Sequence, residues 1–230
     1  MADSASESDS ILQRADCSAI GTVISTLPTQ RGWTTSEVKL YQGFWHMDYV
    51  VPGILSLQES FRGNPDHIVL TTYPKSGTTW LKAFLVSIMN RSSCNFTGGQ
   101  GQTGTGNPLV SSNPHGFVPI MEFHAASNFA DPNAGDGQRL LGTHLPYSLL
   151  PKSMIESGCK IVHVMREPKD VFVSLWHFAC ELRKGDGLPP LALDDVFDRF
   201  CDGFSECGPY WDYEIEYWNA SSHQRFLFPF

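Results

Sequence analysis

The sequence predicts an α/β domain in which helices cover both faces of a central parallel sheet. Three observations carry that prediction. Short apolar runs recur at 68–73, 139–143 and 160–165, and stretches with helical spacing of apolar residues separate them. A proline closes each run within a few residues, at Pro74, Pro146 and Pro168, where a strand gives way to the next element. The chain has 230 residues, 41% of them hydrophobic, enough for one sizeable core.

The elements follow in order. Residues 1–30 are polar and aperiodic and read as a disordered leader to a single domain over 31–230. Met1 to Ser10 is acidic and serine-rich, without the basic start and apolar middle of a secretory signal. Aromatic residues become dense from Trp33 through Tyr41, Phe44, Trp45 and Tyr49. The run at 68–73 reads as a buried strand, and Pro74-Lys75-Ser76-Gly77 breaks it. Trp80, Leu81, Phe84, Leu85, Ile88 and Met89 then recur at helical spacing. Residues 97–107, rich in Gly, Gln and Thr, read as a surface loop, because no strand precedes them and no helix follows.

The second strand, 139–143, leads to His144, and 148–156 reads as a short helix. The third strand, 160–165, leads to Arg166 and Glu167, with Pro168 in the first turn of the next helix. Phe172, Leu175, Trp176 and Ala179 form its apolar stripe, which ends at the Gly/Pro linker 185–190. Two further stripes, Leu193/Val196/Phe197/Phe200 and Trp211/Ile215/Trp218, mark two more helices, and 225–228 reads as a last strand.

The formal net charge is −8. A field of that sign repels phosphate, which argues against nucleic acid or an anionic membrane surface as a partner. No apolar run approaches the roughly 20 residues that span a bilayer. The six cysteines contain no C-x-x-C pair and read as reduced thiols of a cytoplasmic protein. The sequons at Asn90, Asn95 and Asn219 read as chance matches. His115, His124, His163 and His177 lack metal-ligand spacing, so no metal is expected.

Ligands of open α/β sheets bind outside the carboxyl ends of the strands. After the first strand comes Lys75-Ser76-Gly77-Thr78-Thr79, after the second His144, after the third Arg166. Parallel neighbours would bring a lysine loop, an imidazole and a guanidinium to one rim. A helix N-terminus offers unpaired N–H groups and a positive dipole end. Gly77 lets the backbone approach an oxyanion, and Ser76, Thr78 and Thr79 add hydroxyls. The lysine precedes the glycine, unlike the G-x-x-x-x-G-K-[ST] loop of nucleoside triphosphatases. A nucleotide-kinase-like phosphotransferase is therefore the rival reading, disfavoured by the lysine position and by the lack of an evident magnesium carboxylate.

Tyr73-Pro74-Lys75-Ser76-Gly77-Thr78-Thr79-Trp80 resembles the 5′-phosphosulfate loop of the plant cytosolic sulfotransferases. Thr143-His144-Leu145-Pro146-Tyr147 resembles that family's catalytic-histidine segment, and the stretch from Arg166-Glu167-Pro168 to Ser174 resembles its 3′-phosphate segment. Tyr41-Gln42-Gly43-Phe44-Trp45 is similar to the opening segment of plant members. The three main segments stand in family order, and the similarity runs over about 33–228.

The resemblance implies a three-layer, nucleotide-kinase-like P-loop-type fold. It implies transfer of a sulfuryl group from 3′-phosphoadenosine 5′-phosphosulfate (PAPS) to a hydroxyl of a small acceptor such as a flavonoid, a steroid or a hydroxylated acid. His144 is then the base and Lys75 the group that neutralises the leaving oxygen. Lys75, Ser76, Gly77, Thr78, Thr79 and Trp80 hold the 5′ side of the donor, and Arg166 and Ser174 its 3′-phosphate. Aromatic candidates for the acceptor wall are Phe44, Trp45, Phe123 and Tyr147, each also suited to plain core. Position 167 is Glu where many members have Asp, and position 142 is Gly where animal members often carry a second lysine. The family continues past a strand like 225–228 with an adenine-contacting tyrosine, an Arg-Lys-Gly loop and a dimerisation segment. None follows here, so a catalytically weak nucleotide-binding relative is the alternative, and the oligomeric state stays open.

Overall fold

A computed structural model describes residues 20–34, 37–91, 109, 113–127, 139–222 and 226–227. The Gly-rich stretch at 97–107 lies outside them, as do residues 1–19 of the expected leader. Ordered structure starts before Trp33, with a helical segment at 20–26 and strand β1 (Thr29–Arg31). Strands β2 (Glu37–Tyr41) and β3 (Phe44–Met47) join β1 in an antiparallel sheet, order β1-β2-β3. The β2–β3 turn uses Gln42 and Gly43 at positive φ, 48° and 89°, the conformation that two-residue hairpin turns need. Helix α1 (Val51–Ser60) follows.

The main sheet holds β4 (Ile68–Thr72), β5 (Leu140–Thr143), β6 (Lys160–Val164) and β7 (Phe226–Leu227) in the order β5-β4-β6-β7, all parallel. Each of the four strands read from sequence is present. Their register pairs Thr71 with Thr143 and Thr72 with Val164. The chain therefore leaves β4, β5 and β6 at the same edge, and the segments starting at Tyr73, His144 and Met165 emerge side by side.

Alternation along the strands feeds two layers. Val69, Leu141 and Ile161 enter the large core, together with α1, α6 (Pro168–Gly185), α7 (Leu193–Cys201) and α8 (Tyr210–Ala220). Leu70, Val162 and Val164 meet Leu81 and Leu85 of α2 (Thr78–Met89) on the opposite face. Trp33 is wholly buried, with its ring 6.2 Å from Phe172 of α6 and 6.3 Å from Phe200 of α7. Between α2 and β5 lie the short helices α3 (Pro114–Phe117) and α4 (Met121–Ala126). The region 148–156 divides into a 3-10 turn, Tyr147–Leu149, and α5 (Lys152–Glu156), because Pro151 cannot extend the first turn. No helix among the described residues is long and apolar enough to cross a membrane.

Candidate active site

The loop after β4 is anchored from below. Tyr73 is wholly buried, its hydroxyl bonds Ser205, and its ring meets Tyr210 and Tyr213 edge-on at 4.9 and 5.3 Å. The Ser76 N–H donates to Tyr73 O at 3.1 Å and closes a turn. Lys75 and Gly77 both take positive φ, 71° and 100°; Gly77 does so without steric cost, whereas Lys75 is a strained residue held by its surroundings. Thr78 Oγ1 lies 2.7 Å from Thr72 Oγ1, tying the start of α2 to the end of β4. Gly77 caps α2 without a side-chain bond, so the helix's first N–H groups have no intrahelical acceptor. Ser76 Oγ is buried without a hydrogen-bond partner. An anion at this loop would satisfy both deficits.

Lys75, Gly77, Thr78, Thr79, Trp80, His144, Arg166 and Ser174 line one cavity of about 730 Å³. That is the convergence expected of three parallel strands. Ser76 is buried and does not border the cavity. Trp80 is 84% exposed at the rim, so it is not a core residue. Lys75 Nζ lies 4.4 Å over the Phe178 ring, a cation–π contact. Arg166 bridges two strand ends: Nη1 donates to Lys75 O at 2.9 Å, and Nη2 lies 3.6 Å from Asp170 Oδ2 on an exposed face. Ser174 lies on the side of α6 that faces the cavity, while its neighbour Phe172 enters the core.

His144 is held from two sides. Its Nδ1 donates to Thr72 O at 2.7 Å, which leaves Nε2 as the acceptor nitrogen. Its backbone N–H donates to Glu122 Oε1 at 2.8 Å. Burial holds the imidazole down at about 4, the bond to Thr72 O opposes this, and the charges of Lys82 and His115 lower it further. The ring is neutral at pH 7. Glu122 is itself buried and accepts from Thr143 Oγ1 at 2.8 Å. Burial raises its carboxyl, against the hydrogen bonds and the Lys82 charge that lower it.

Of the four aromatic candidates for an acceptor wall, only Phe123 lines the cavity, at 6.4 Å from the His144 ring. Phe44 is core, Trp45 packs on Phe204 at 5.0 Å, and Tyr147 on Tyr217 at 5.8 Å. Met47 and Tyr49 take their place, the Tyr49 ring stacked 6.4 Å from Phe123. Glu122, Lys82 and His115 are further members of this neighbourhood that sequence reasoning missed. A visible signal was Lys82, a charge set among the apolar residues of α2.

The fold and the site define a P-loop-type α/β protein with a lysine loop, an imidazole and a guanidinium at one strand edge. Residues 65–230 match the family model described as the sulfotransferase domain. The chain belongs to the sulfotransferase family. Cytosolic sulfotransferases 17 and 12 of Arabidopsis thaliana are each 40% identical to it, over 204 and 202 residues, 86% of this chain. The chain spans 55% and 60% of their lengths. A crystal structure of an Arabidopsis thaliana protein provisionally named a steroid sulphotransferase superposes with a TM-score of 0.74 at 38% identity, covering 90% of this chain and 70% of that one. A mouse sulfotransferase crystallised with PAP shares the fold, with a TM-score of 0.59 at 23% identity over 84% of this chain and 61% of that one.

Proposed function

We propose that this protein transfers a sulfuryl group from PAPS to a hydroxyl of a small acceptor, in the cytoplasm. The observation that carries the reading is the shared cavity: Lys75, Gly77, Thr78, Thr79, Trp80, His144, Arg166 and Ser174 all border one space. PAPS supplies the group that is transferred. Gly77, Thr78 and Thr79 present N–H and hydroxyl donors to its 5′ side, and Arg166 with Ser174 binds the 3′-phosphate. His144 Nε2 takes the proton of the acceptor hydroxyl as its oxygen attacks sulfur, the Thr72 bond at Nδ1 fixing the tautomer. Lys75 swings from the Phe178 ring to neutralise charge on the oxygen that leaves. Met47, Tyr49 and Phe123 form the acceptor side, which supports a flat apolar hydroxyl compound as substrate.

Incubation with PAPS and a panel of flavonols, steroids and hydroxylated acids tests the reading by mass spectrometry of the products. A sulfated product that disappears in His144→Ala is expected. Failure of every acceptor, together with no calorimetric binding of 3′,5′-adenosine bisphosphate, would overturn it. Binding without any turnover would instead support a nucleotide-binding relative lacking transferase activity.

A further inference from the structure

Lys82 is wholly buried on the inner side of α2. It packs against Gly142, where a Cβ would lie 3.1 Å from Lys82 Cε. Glu122 of α4, also buried, is the acid that attracts it, but the Glu122 oxygens are bonded to Thr143 Oγ1 and the His144 N–H. Lys82 Nζ instead lies 3.2 Å from His115 Nδ1, and His115 Nε2 lies 3.0 Å from Thr79 Oγ1. An ammonium can only donate, so Nδ1 accepts and the imidazole proton sits on Nε2. Nε2–H then donates to Thr79 Oγ1. The Thr79 hydroxyl hydrogen is left to donate elsewhere, and both Thr79 and His115 line the cavity.

We propose that Lys82 and His115 are positioning residues for the anionic donor: the ammonium sets the imidazole tautomer, and the imidazole makes Thr79 a dedicated hydrogen-bond donor to the anion at the start of α2. This rests on the nucleotide reading above and adds to it two residues which act through Thr79. The groups facing Lys82 are His115 on α3, Glu122 on α4 and His144 after β5. Burial lowers the lysine to about 8. The relay is intact with the ammonium protonated and is lost as pH rises through that value.

Calorimetric titration of the full chain with 3′,5′-adenosine bisphosphate at pH 7 and pH 9 tests this. Wild type is expected to bind at pH 7 and to weaken several-fold at pH 9. Lys82→Met and His115→Ala are expected to weaken binding about tenfold at pH 7, and Lys82→Met to lose the wild-type pH dependence. His115→Gln keeps one acceptor and one donor and should recover most of the affinity. His115 is exposed, so its variants remain informative if Lys82→Met does not fold. Variants within twofold of a binding wild type would overturn this inference alone. A wild type that does not bind would overturn the nucleotide reading and this inference together.

Discussion

At the scale of single residues, two imidazoles make pH a direct probe of the structure. His46 is 2% exposed, its Nε2 has no hydrogen-bond partner, and burial lowers it to about 3. His144 is lowered to about 4. Both values lie below that of an unfolded histidine near 6.5, so the unfolded chain binds more protons between the two limits. The contribution of these two groups to stability is therefore whole above pH 6.5 and falls as pH drops toward 4, by up to about 1.4 kcal/mol per pH unit for each histidine. Urea midpoints at pH 7 and pH 5 should show this, and His46→Phe should make the slope shallower. The same arithmetic applies to catalysis. The acid limb of kcat/KM reports the free-enzyme base, so with His144 as the proposed base it is expected near pH 4, not near 6.5. Removing the Lys82 charge takes away a lowering influence, and the limb in Lys82→Met should move to higher pH. A wild-type limb at 6.5 would show that the His144 proton acceptor stands in water.

At the scale of elements, spacing revealed where helices lie better than which way they face. The apolar residues of α2 mark a helix, yet Trp80, Phe84 and Ile88 are 84, 61 and 40% exposed, while Lys82 is buried. In α8 the stripe Trp211, Ile215 and Trp218 faces water, and Tyr213 and Tyr217 are wholly buried. Tyr217 can fill the core because its hydroxyl finds a partner: it donates to Leu145 O at 2.7 Å. Its ring also stacks 4.0 Å from His163, which pairs with Glu214 at 2.8 Å. None of these partners is a sequence neighbour, so periodicity alone could not tell an inward tyrosine from an outward tryptophan. The strand edge was legible because β-rich runs and loop residues are local. The support beneath His144 was not, since Glu122 sits on a six-residue helix placed by contact with α1. Gly53 makes that contact possible: a Cβ there would lie 2.1 Å from Glu122 O and 2.7 Å from Ala126 N. Gly53→Ala must push α4 away from α1. We expect a loss of about 2 kcal/mol in urea unfolding, in the range of overpacked cores. Activity should fall further than stability explains, because Glu122 moves with α4 and loosens the His144 backbone.

At the scale of the whole molecule, two hollows of different chemistry meet at Arg166. The cavity at the carboxyl edge gathers the loop, the imidazole and the guanidinium, whereas a second hollow of about 500 Å³ opens beyond Arg166. Met165, Trp211, Ile215 and Trp218 line it, and they are 45, 52, 53 and 63% exposed. Scattered apolar side chains on a surface need no explanation, but four bordering one hollow form a contiguous patch that water disfavours. Association hides such a patch, so the chain is expected to self-associate as its concentration rises. The driving force is burial of apolar area, hence added salt should not disperse the assemblies. Replacing Ile215 and Trp218 together by Lys puts two charges on the patch and should leave a single monomeric boundary in sedimentation velocity at the same concentration. None of Trp211, Ile215 and Trp218 borders the larger cavity, so nucleotide affinity in that double variant should match wild type. Equal sedimentation of the two proteins would show that the patch does not drive association.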